Sequence, residues 1–204
     1  MSGADHAVAM YTTIVRRRFG ALLVAAAALA TAVALLPTVP AHANPVGIQF
    51  ISRTTPQRCL DNDSDTRTNP RTNVQLYTCR KITNDLVTWW QFWIEEHPSN
   101  WQAGHQRYRN FGADKCLTYA QGSTAGAPVW TERCGIAGQG YSVLNLGLGA
   151  DDLPIIQLQA VEVVGSLCVS AVDPSGGNRT GINLQPCWPA TSQNTWKRNQ
   201  TSIP

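Results

Sequence analysis

The sequence lacks an excess of charge of either sign. Charged residues make up only 14% of the chain. Three of the 16 basic residues and one of the 13 acidic residues precede residue 44, so the remainder carries a net charge of +1. A protein that binds nucleic acid or an anionic membrane surface needs a basic field, which this composition does not provide. Neutral polar partners are therefore expected, and nucleic acid is not.

Residues that catalyse reactions or bind metals are also scarce. Beyond residue 43 the only histidines are His97 and His105, and the sequence has neither a C-x-x-C pair nor a G-x-S-x-G motif. The acidic pairs 95–96 and 151–152 consist of neighbours, whose side chains would point to opposite faces of a strand. A glycosidase needs two carboxylates that face each other across a cleft. We therefore expect neither an enzyme nor a bound metal or cofactor.

Long apolar runs are absent except near the N-terminus. Arg16–Arg18 precede the apolar run Phe19–Leu36, and Ala41-His42-Ala43 follows it. A basic segment, an apolar segment and an A-x-A sequence are typical of a secretory signal peptide. A membrane anchor is the alternative, but the run is shorter than the roughly 20 residues of a membrane span. The sequence predicts a signal peptide over residues 1–43 and a secreted domain over 44–204 that has no membrane span.

All six cysteines follow the predicted signal peptide, and their spacing is regular. The intervals between them are 20, 37, 18, 34 and 19 residues, so short and long intervals alternate. An exported protein with an even number of cysteines is expected to form disulfides. Three copies of one unit, each with its own disulfide, would produce this pattern. The predicted pairs are Cys59–Cys79, Cys116–Cys134 and Cys168–Cys187. The alternative is a coincidental spacing with another connectivity.

The sequence around the cysteines repeats as well. A stretch of alternating apolar and polar residues, the pattern of a half-buried strand, ends at each second cysteine. Each unit has four short strand signals, separated by turn residues, and the fourth of the first unit lies over Trp89–Ile94. The prediction is all-β, with repeats at about 46–100, 107–150 and 153–200. Each repeat ends on an aromatic segment: Gln91-Phe92-Trp93, Gln139-Gly140-Tyr141, and Asn194-Thr195-Trp196.

These features resemble the ricin B-type lectin family. The likeness rests on three copies, in register, of a first cysteine as in Cys59-Leu60-Asp61, an alternating strand to the second cysteine, and a segment like Q-x-W. It covers residues 46–199. The resemblance implies a β-trefoil of three pseudo-symmetric four-strand repeats with three intra-repeat disulfides. It also implies that Trp93, Tyr141 and Trp196 pack in a shared core.

The same resemblance implies a shallow carbohydrate site in each repeat. Its parts are an acid two residues after the first cysteine, an aromatic residue two before the second, and amides nearby. The first repeat has Asp61, Gln75 and Tyr77 there, and Trp90 and Gln91 complete the predicted site, although the family usually has Asn in place of Trp90. A carboxylate accepts hydrogen bonds from sugar hydroxyls, and an aromatic ring stacks on the C–H face of a pyranose. The prediction is a lectin for galactose-type or related glycans.

The other two repeats depart from this pattern. Thr118 and Glu132 stand in place of the acid and the ring in the second repeat. Ser170 and Gln185 stand there in the third repeat. A single competent site, in the first repeat, is therefore expected.

The sequence contains more aromatic residues than the three closing segments account for. The stretch Trp89–Trp93 contains four of them, and Trp101 follows in a polar loop. Most such residues pack in a core, but exposed ones would form a patch that binds a protein. Trefoil subunits of cytolethal distending toxins are similar in plan. The alternative function is therefore a protein- or host-cell-binding subunit that uses Trp89, Trp90 and Trp101.

Overall fold

The chain is built from β-strands. The computed structural model describes residues 45–81, 86–173, 175 and 177–203, and the predicted signal peptide lies outside the described residues. Two short 3₁₀ turns, Ser64–Thr66 and Leu86–Gln91, interrupt the strands. The strands of the described part are β1 (Val46–Ser52), β2 (Arg58–Asn62), β3 (Thr72–Thr78), β4 (Trp93–Glu96), β5 (His105–Asn110), β6 (Lys115–Thr118), β7 (Trp130–Arg133), β8 (Tyr141–Leu148), β9 (Pro154–Ala160), β10 (Leu167–Ala171), β11 (Thr180–Pro186) and β12 (Trp196–Ser202).

The strand pairings, all antiparallel, close into a barrel. Ten strands form a ring in the order β1, β4, β5, β6, β7, β3, β11, β10, β9 and β12, and β12 pairs again with β1. β2 and β8 lie outside this ring. β2 pairs with β1 and β3, and β8 pairs with β5 and β9.

The predicted β-trefoil of three pseudo-symmetric four-strand repeats is therefore wrong. In a threefold arrangement the second strands of the three hairpins, β3, β7 and β11, would contact one another equally. β3 pairs with both β7 and β11, whereas the contact between the segments of β7 and β11 is a single bridge between Pro128 and Asn183. The strand expected over Trp89–Ile94 begins only at Trp93, because the preceding residues form the second 3₁₀ turn. The long segment between Cys79 and Gln91 supplies the residues for this turn. The all-β class and the three disulfides are confirmed.

Each disulfide closes the base of a hairpin. In each pair the first cysteine lies in the first hairpin strand, and the second follows the other strand directly. The pairs are Cys59–Cys79, Cys116–Cys134 and Cys168–Cys187, each with its Cα atoms 5.0 Å apart. A closed loop of this length restricts the unfolded chain and contributes about 3 kcal/mol. The disulfides thus hold the hairpins from which the candidate site residues project.

The three closing aromatic residues, Trp93, Tyr141 and Trp196, are fully buried in the core. Trp93 Nε1 donates to the Leu60 carbonyl at 3.1 Å, and Trp196 Nε1 donates to the Val169 carbonyl at 3.0 Å. Both carbonyls belong to the residue after a first cysteine, so each indole ties the closing segment to its hairpin. The hydroxyl of Tyr141 has no hydrogen-bond partner among the described residues.

We expect Tyr141→Phe to raise the free energy of unfolding by about 1 kcal/mol, because a buried hydroxyl without a partner is destabilising. Tyr119→Phe is the matched control. The Tyr119 hydroxyl is buried too, but it donates to the Gly140 carbonyl at 2.8 Å and accepts from the Val161 and Glu162 amides. Its loss is expected to cost about 1–3 kcal/mol. Urea denaturation of both variants checks this, and equal destabilisation by the two would contradict it.

The described residues contain no helix long and apolar enough to cross a membrane. Their helical content is limited to the two 3₁₀ turns.

Candidate functional site

The β2–β3 hairpin brings the predicted acid and amide together. Asp61 lies directly opposite Gln75 in the antiparallel register, and Cys59 lies opposite Tyr77. Residues two apart on a strand share a face, so Asp61, Gln75 and Tyr77 point to the same side of the hairpin. The Gln75 amide donates to Asp61 Oδ1 at 3.3 Å. The spacing of these residues around the cysteines is therefore what places them in one site.

A small cleft opens beside this hairpin. Its volume is about 70 Å³, and four predicted site residues, Asp61, Gln75, Tyr77 and Trp90, line it. We call it the first-repeat cleft. Asp61 is only 7% exposed and Trp90 only 8%, so both form its walls rather than its rim. The sequence did not indicate the remaining lining residues, which are Asp63, Ser64, Asp65, Arg80 and Arg179.

Burial makes Asp61 an unusual carboxylate. Desolvation raises its pKa from 3.8 to about 6, although hydrogen bonds from Gln75 and Gln91 and the charge of Arg80 act in the opposite direction. At neutral pH Asp61 is therefore ionised, and its charge is poorly solvated. A hydroxyl that donates a hydrogen bond to a buried carboxylate stabilises it more than it would stabilise an exposed carboxylate, because water solvates the buried charge poorly.

One face of the predicted stacking ring is partly covered. The Arg80 guanidinium carbon lies 5.2 Å from the centroid of the half-buried Tyr77 ring, within the range of a cation–π interaction. A ligand ring that stacks on Tyr77 has to use the other face or displace Arg80. The position of Arg80 also adds a hydrogen-bond donor at the edge of the cleft.

Gln91 bonds to the backbone around a cysteine, in addition to its hydrogen bond to Asp61. Its amide nitrogen donates to the Thr78 carbonyl at 2.9 Å, and its amide oxygen accepts from the Arg80 amide at 2.8 Å. Gln139 makes the same two contacts around Cys134, to the Arg133 carbonyl and the Gly135 amide. This repeated arrangement fixes the chain after the first and second hairpins, and Gln91 is not among the residues that line the first-repeat cleft.

Arg179 reaches the first-repeat cleft from the third repeat. Its backbone amide donates to the Leu76 carbonyl at 2.8 Å, and its guanidinium pairs with Asp65 at 3.0 Å. Its φ of 69° lies in the left-handed region, so the local turn is held by these contacts. Arg179 and Asp65 are 114 residues apart in the chain, so the sequence gives no indication of this contact.

In the second repeat, the residues at the corresponding positions already have partners within the protein. Thr118 is buried, and its hydroxyl is already bonded to the Cys116 carbonyl and to the Gln139 amide. Glu132 occupies the place of the stacking ring and pairs with Arg71 at 3.1 Å. The Arg71 guanidinium also covers the ring of Trp130 at 4.6 Å.

The aromatic surplus packs against the protein itself. Trp89 is half-buried, and its ring contacts Phe111 edge-on with a centroid distance of 5.1 Å. Trp101 is half-buried too, with Arg107 above its ring at 6.0 Å. Trp90 forms a wall of the first-repeat cleft. None of the three is among the mostly exposed large apolar side chains of the described residues, and the alternative function that uses them stays a prediction.

Glu95 and Glu96 lie outside the cleft and have structural partners. Glu95 pairs with Arg198 at 2.7 Å, and Glu96 pairs with Arg107 at 2.7 Å. Asp63, which lines the first-repeat cleft, accepts a hydrogen bond from the Asp65 amide and caps the first 3₁₀ turn. In the part of the chain that the structure describes, no three His, Cys, Asp or Glu side chains are gathered as a metal would require.

Comparison with known proteins shows similarity at the level of the fold. No family model matches the sequence, and no curated protein matches it. The designed threefold symmetric protein ThreeFoil is similar with a TM-score of 0.60 and 16% identity, over 74% of this chain and 96% of that one. A ricin B-like lectin from Macrolepiota procera, solved in complex with lactose, has a TM-score of 0.52 and 10% identity, over 81% and 100%.

A toxin resembles this chain in fold about as much as the ricin B-like lectin does. The cytolethal distending toxin of Haemophilus ducreyi has a TM-score of 0.51 and 15% identity, over 80% of this chain and 86% of the matched chain. These identities establish a likeness of fold and no more. The chain thus shares part of its fold with these proteins, although its strands close into a ring of ten.

Proposed function

We propose that this protein is a secreted lectin module that binds galactose-type or related glycans through the first-repeat cleft. The observation that supports this most is Asp61, a buried carboxylate that lines an open cleft beside the Gln75 amide and two aromatic rings. The three disulfides fit the oxidising environment of a secreted protein. The role is binding rather than catalysis.

The chemistry of the first-repeat cleft suits a sugar hydroxyl pair. Ionised Asp61 accepts hydrogen bonds from two hydroxyls, and the Gln75 amide both donates and accepts. Tyr77 and Trp90 offer aromatic surface to the C–H face of the ring. A single shallow site of this kind binds with a Kd near 1 mM, or about 4 kcal/mol. Useful avidity therefore requires a multivalent glycan or several copies of the protein.

Glycan-array binding of wild type and Asp61→Asn tests the proposal. We expect wild type to bind galactose-containing glycans on the array. The signal of Asp61→Asn should be at least about tenfold lower, because this substitution removes a charge-assisted hydrogen-bond acceptor. Asp152→Asn is the matched control, because Asp152 is exposed and does not line the cleft. It should bind as wild type does.

A folded wild type that binds no glycan would refute the lectin proposal. A protein- or host-cell-binding subunit would then be the better explanation. The same conclusion would follow if Asp61→Asn and Asp152→Asn bound every glycan equally, because binding would then lie outside the first-repeat cleft.

A further inference from the structure

One wall of the first-repeat cleft is a loop that the hydrophobic core does not hold. Asp63, Ser64 and Asp65 line the cleft and begin this loop, which runs over residues 63–71 between β2 and β3. We call it the wall loop. Each of its side chains is exposed or half-buried, so the burial of apolar surface contributes little to its position. Its place beside the cleft therefore depends on polar contacts.

Polar contacts tether the wall loop to the other two repeats at three places. Two of them are ion pairs at the surface, Arg179 with Asp65 at 3.0 Å and Arg71 with Glu132 at 3.1 Å. The side chains of Arg179, Asp65 and Arg71 are each at least 65% exposed. Water and salt weaken ion pairs of this kind. The third contact, made by Lys115, is less exposed and has more bonds.

The Lys115 ammonium reaches the wall loop from β6 in the second repeat. It donates to the Arg67 carbonyl at 2.9 Å, to the Thr72 hydroxyl at 2.7 Å, and to the Asn69 carbonyl. An ammonium has three N–H donors, so all of them are used, and each bond is charge-assisted. Burial lowers the pKa of Lys115 from its usual 10.5, because water solvates this ammonium incompletely. One side chain thus joins the exposed part of the wall loop to the buried start of β3.

This lysine is not part of the pattern that the three repeats share. The residue directly before the first cysteine is Arg58 in the first repeat and Leu167 in the third. Arg58 donates to the Thr78 hydroxyl of its own hairpin at 2.9 Å, and a leucine side chain has no donor. The family resemblance assigns no sugar contact to this position. The role of Lys115 therefore follows from its contacts alone.

We propose that Lys115 is a positioning residue for the first-repeat cleft, which holds the wall loop in the shape that a ligand meets. The proposal rests on the proposed function of that cleft. Lys115 does not line the cleft itself, so it acts on a ligand through the wall loop. Without the ammonium, the exposed carbonyls of Arg67 and Asn69 bond to water instead. The loop then loses its strongest tether while the core stays as it is.

Hydrogen exchange of Lys115→Met, followed by nuclear magnetic resonance, tests the tether. Methionine keeps the apolar length of the side chain but cannot donate a hydrogen bond. The Asn69 amide donates to the Thr66 carbonyl, and the Thr66 amide donates to the Asp63 carbonyl, so both protons are protected only while the wall loop is ordered. We expect both amides to exchange about tenfold faster in the variant. Exchange in β10 should not change.

Glycan binding measures whether the loosened loop matters to a ligand. For the glycan that wild type binds best on the array, Lys115→Met should weaken the affinity about threefold to tenfold, because the ligand must then order the loop as it binds. Lys197→Met is the matched control. Lys197 is also half-buried, pairs with Asp151 at 2.7 Å and does not line the cleft. It removes the same charge and should leave both loop exchange and affinity as in wild type.

Tyr119→Phe distinguishes positioning from a general loss of stability. The hydrogen bonds of the Tyr119 hydroxyl lie outside the wall loop, and their loss is expected to destabilise the whole protein. Its glycan affinity should therefore equal that of wild type. Lys115→Met should show the reverse, with weaker binding and a smaller loss in the free energy of unfolding than in Tyr119→Phe.

Unchanged exchange of the Thr66 and Asn69 amides in Lys115→Met would overturn the proposal. Faster exchange with an unchanged affinity would overturn it too, as would an equal loss of affinity in Lys197→Met, because charge alone would then explain the effect. A wild type that binds no glycan refutes the proposed function and is a separate outcome. In that case unchanged exchange would refute the tether as well, whereas tenfold faster exchange would still support the hold of Lys115 on the wall loop.

Discussion

Asp61→Asn is expected to make the protein more stable at pH 7 by about 1–3 kcal/mol. The carboxylate is buried, and its pKa is raised from 3.8 to about 6. A shift of that size corresponds to about 3 kcal/mol of unfavourable energy for the ionised form in the folded state. Asparagine has nearly the same shape, and its amide can still bond to Gln75 without the cost of a buried charge.

The sign of the pH dependence follows from the direction of the shift. Between about pH 4 and pH 6 the folded state binds more protons than the unfolded state, because its carboxyl has the higher pKa. The contribution of Asp61 to stability therefore falls as pH rises through this window and is constant above it. The stability difference between Asp61→Asn and wild type should be small near pH 4 and should reach its full size above pH 6.

Urea denaturation followed by tryptophan fluorescence, at several values between pH 4 and pH 7.5, measures this difference. The exposed control Asp152→Asn should change the free energy of unfolding by less than about 0.5 kcal/mol throughout. An Asp61→Asn variant that is less stable than wild type at pH 7 would contradict the argument. Glycan binding should show the opposite trend, weakening as pH falls through 6, because the protonated acid is a poorer acceptor.

Trp93→Ala is expected to lower the free energy of unfolding by about 3–5 kcal/mol. The side chain is fully buried, so its removal leaves a large cavity in the core. It also removes the hydrogen bond from Trp93 Nε1 to the Leu60 carbonyl, next to Asp61. Trp93→Phe keeps most of the buried surface but loses the hydrogen bond, so it should cost less than the alanine variant.

Trp188→Ala is the matched control for the size of the deleted side chain. Because Trp188 is mostly exposed, its loss should change stability by less than about 0.5 kcal/mol. Denaturation in urea compares the three variants. A cost below about 1 kcal/mol for Trp93→Ala would mean that this indole does not join the first hairpin to the core.

Part of the candidate site could be predicted from residues that lie close together in the sequence. Asp61, Gln75 and Tyr77 lie at fixed offsets from Cys59 and Cys79, and a hairpin converts those offsets into one face. Together with Trp90, the sequence therefore located four of the residues that line the first-repeat cleft. It also assigned Gln91 to the sugar site, which stays a prediction; the Gln91 amide bonds to the backbone on either side of Cys79 and to Asp61.

Other parts of the first-repeat cleft depend on contacts between distant segments. Arg179 enters the first-repeat cleft because β11 pairs with β3. The exposure of Trp188 and the missing partner of the Ser170 hydroxyl result from how the third repeat packs. No spacing or alternation rule encodes such contacts, since they depend on which residues approach in three dimensions.

The sequence by itself determined the local features: the all-β class, the three disulfides and their hairpins, and the residues that face each other across the first hairpin. Each of these follows from spacing over about 20 residues and from the period of a strand. The tertiary structure decided the closed ring of ten strands, the 3₁₀ turn over Leu86–Gln91, and the partial burial of Trp89 and Trp101. The physical reason is that the packing of the whole core decides which strands from different repeats come together. Each strand then forms its backbone hydrogen bonds with the strand that this packing places beside it.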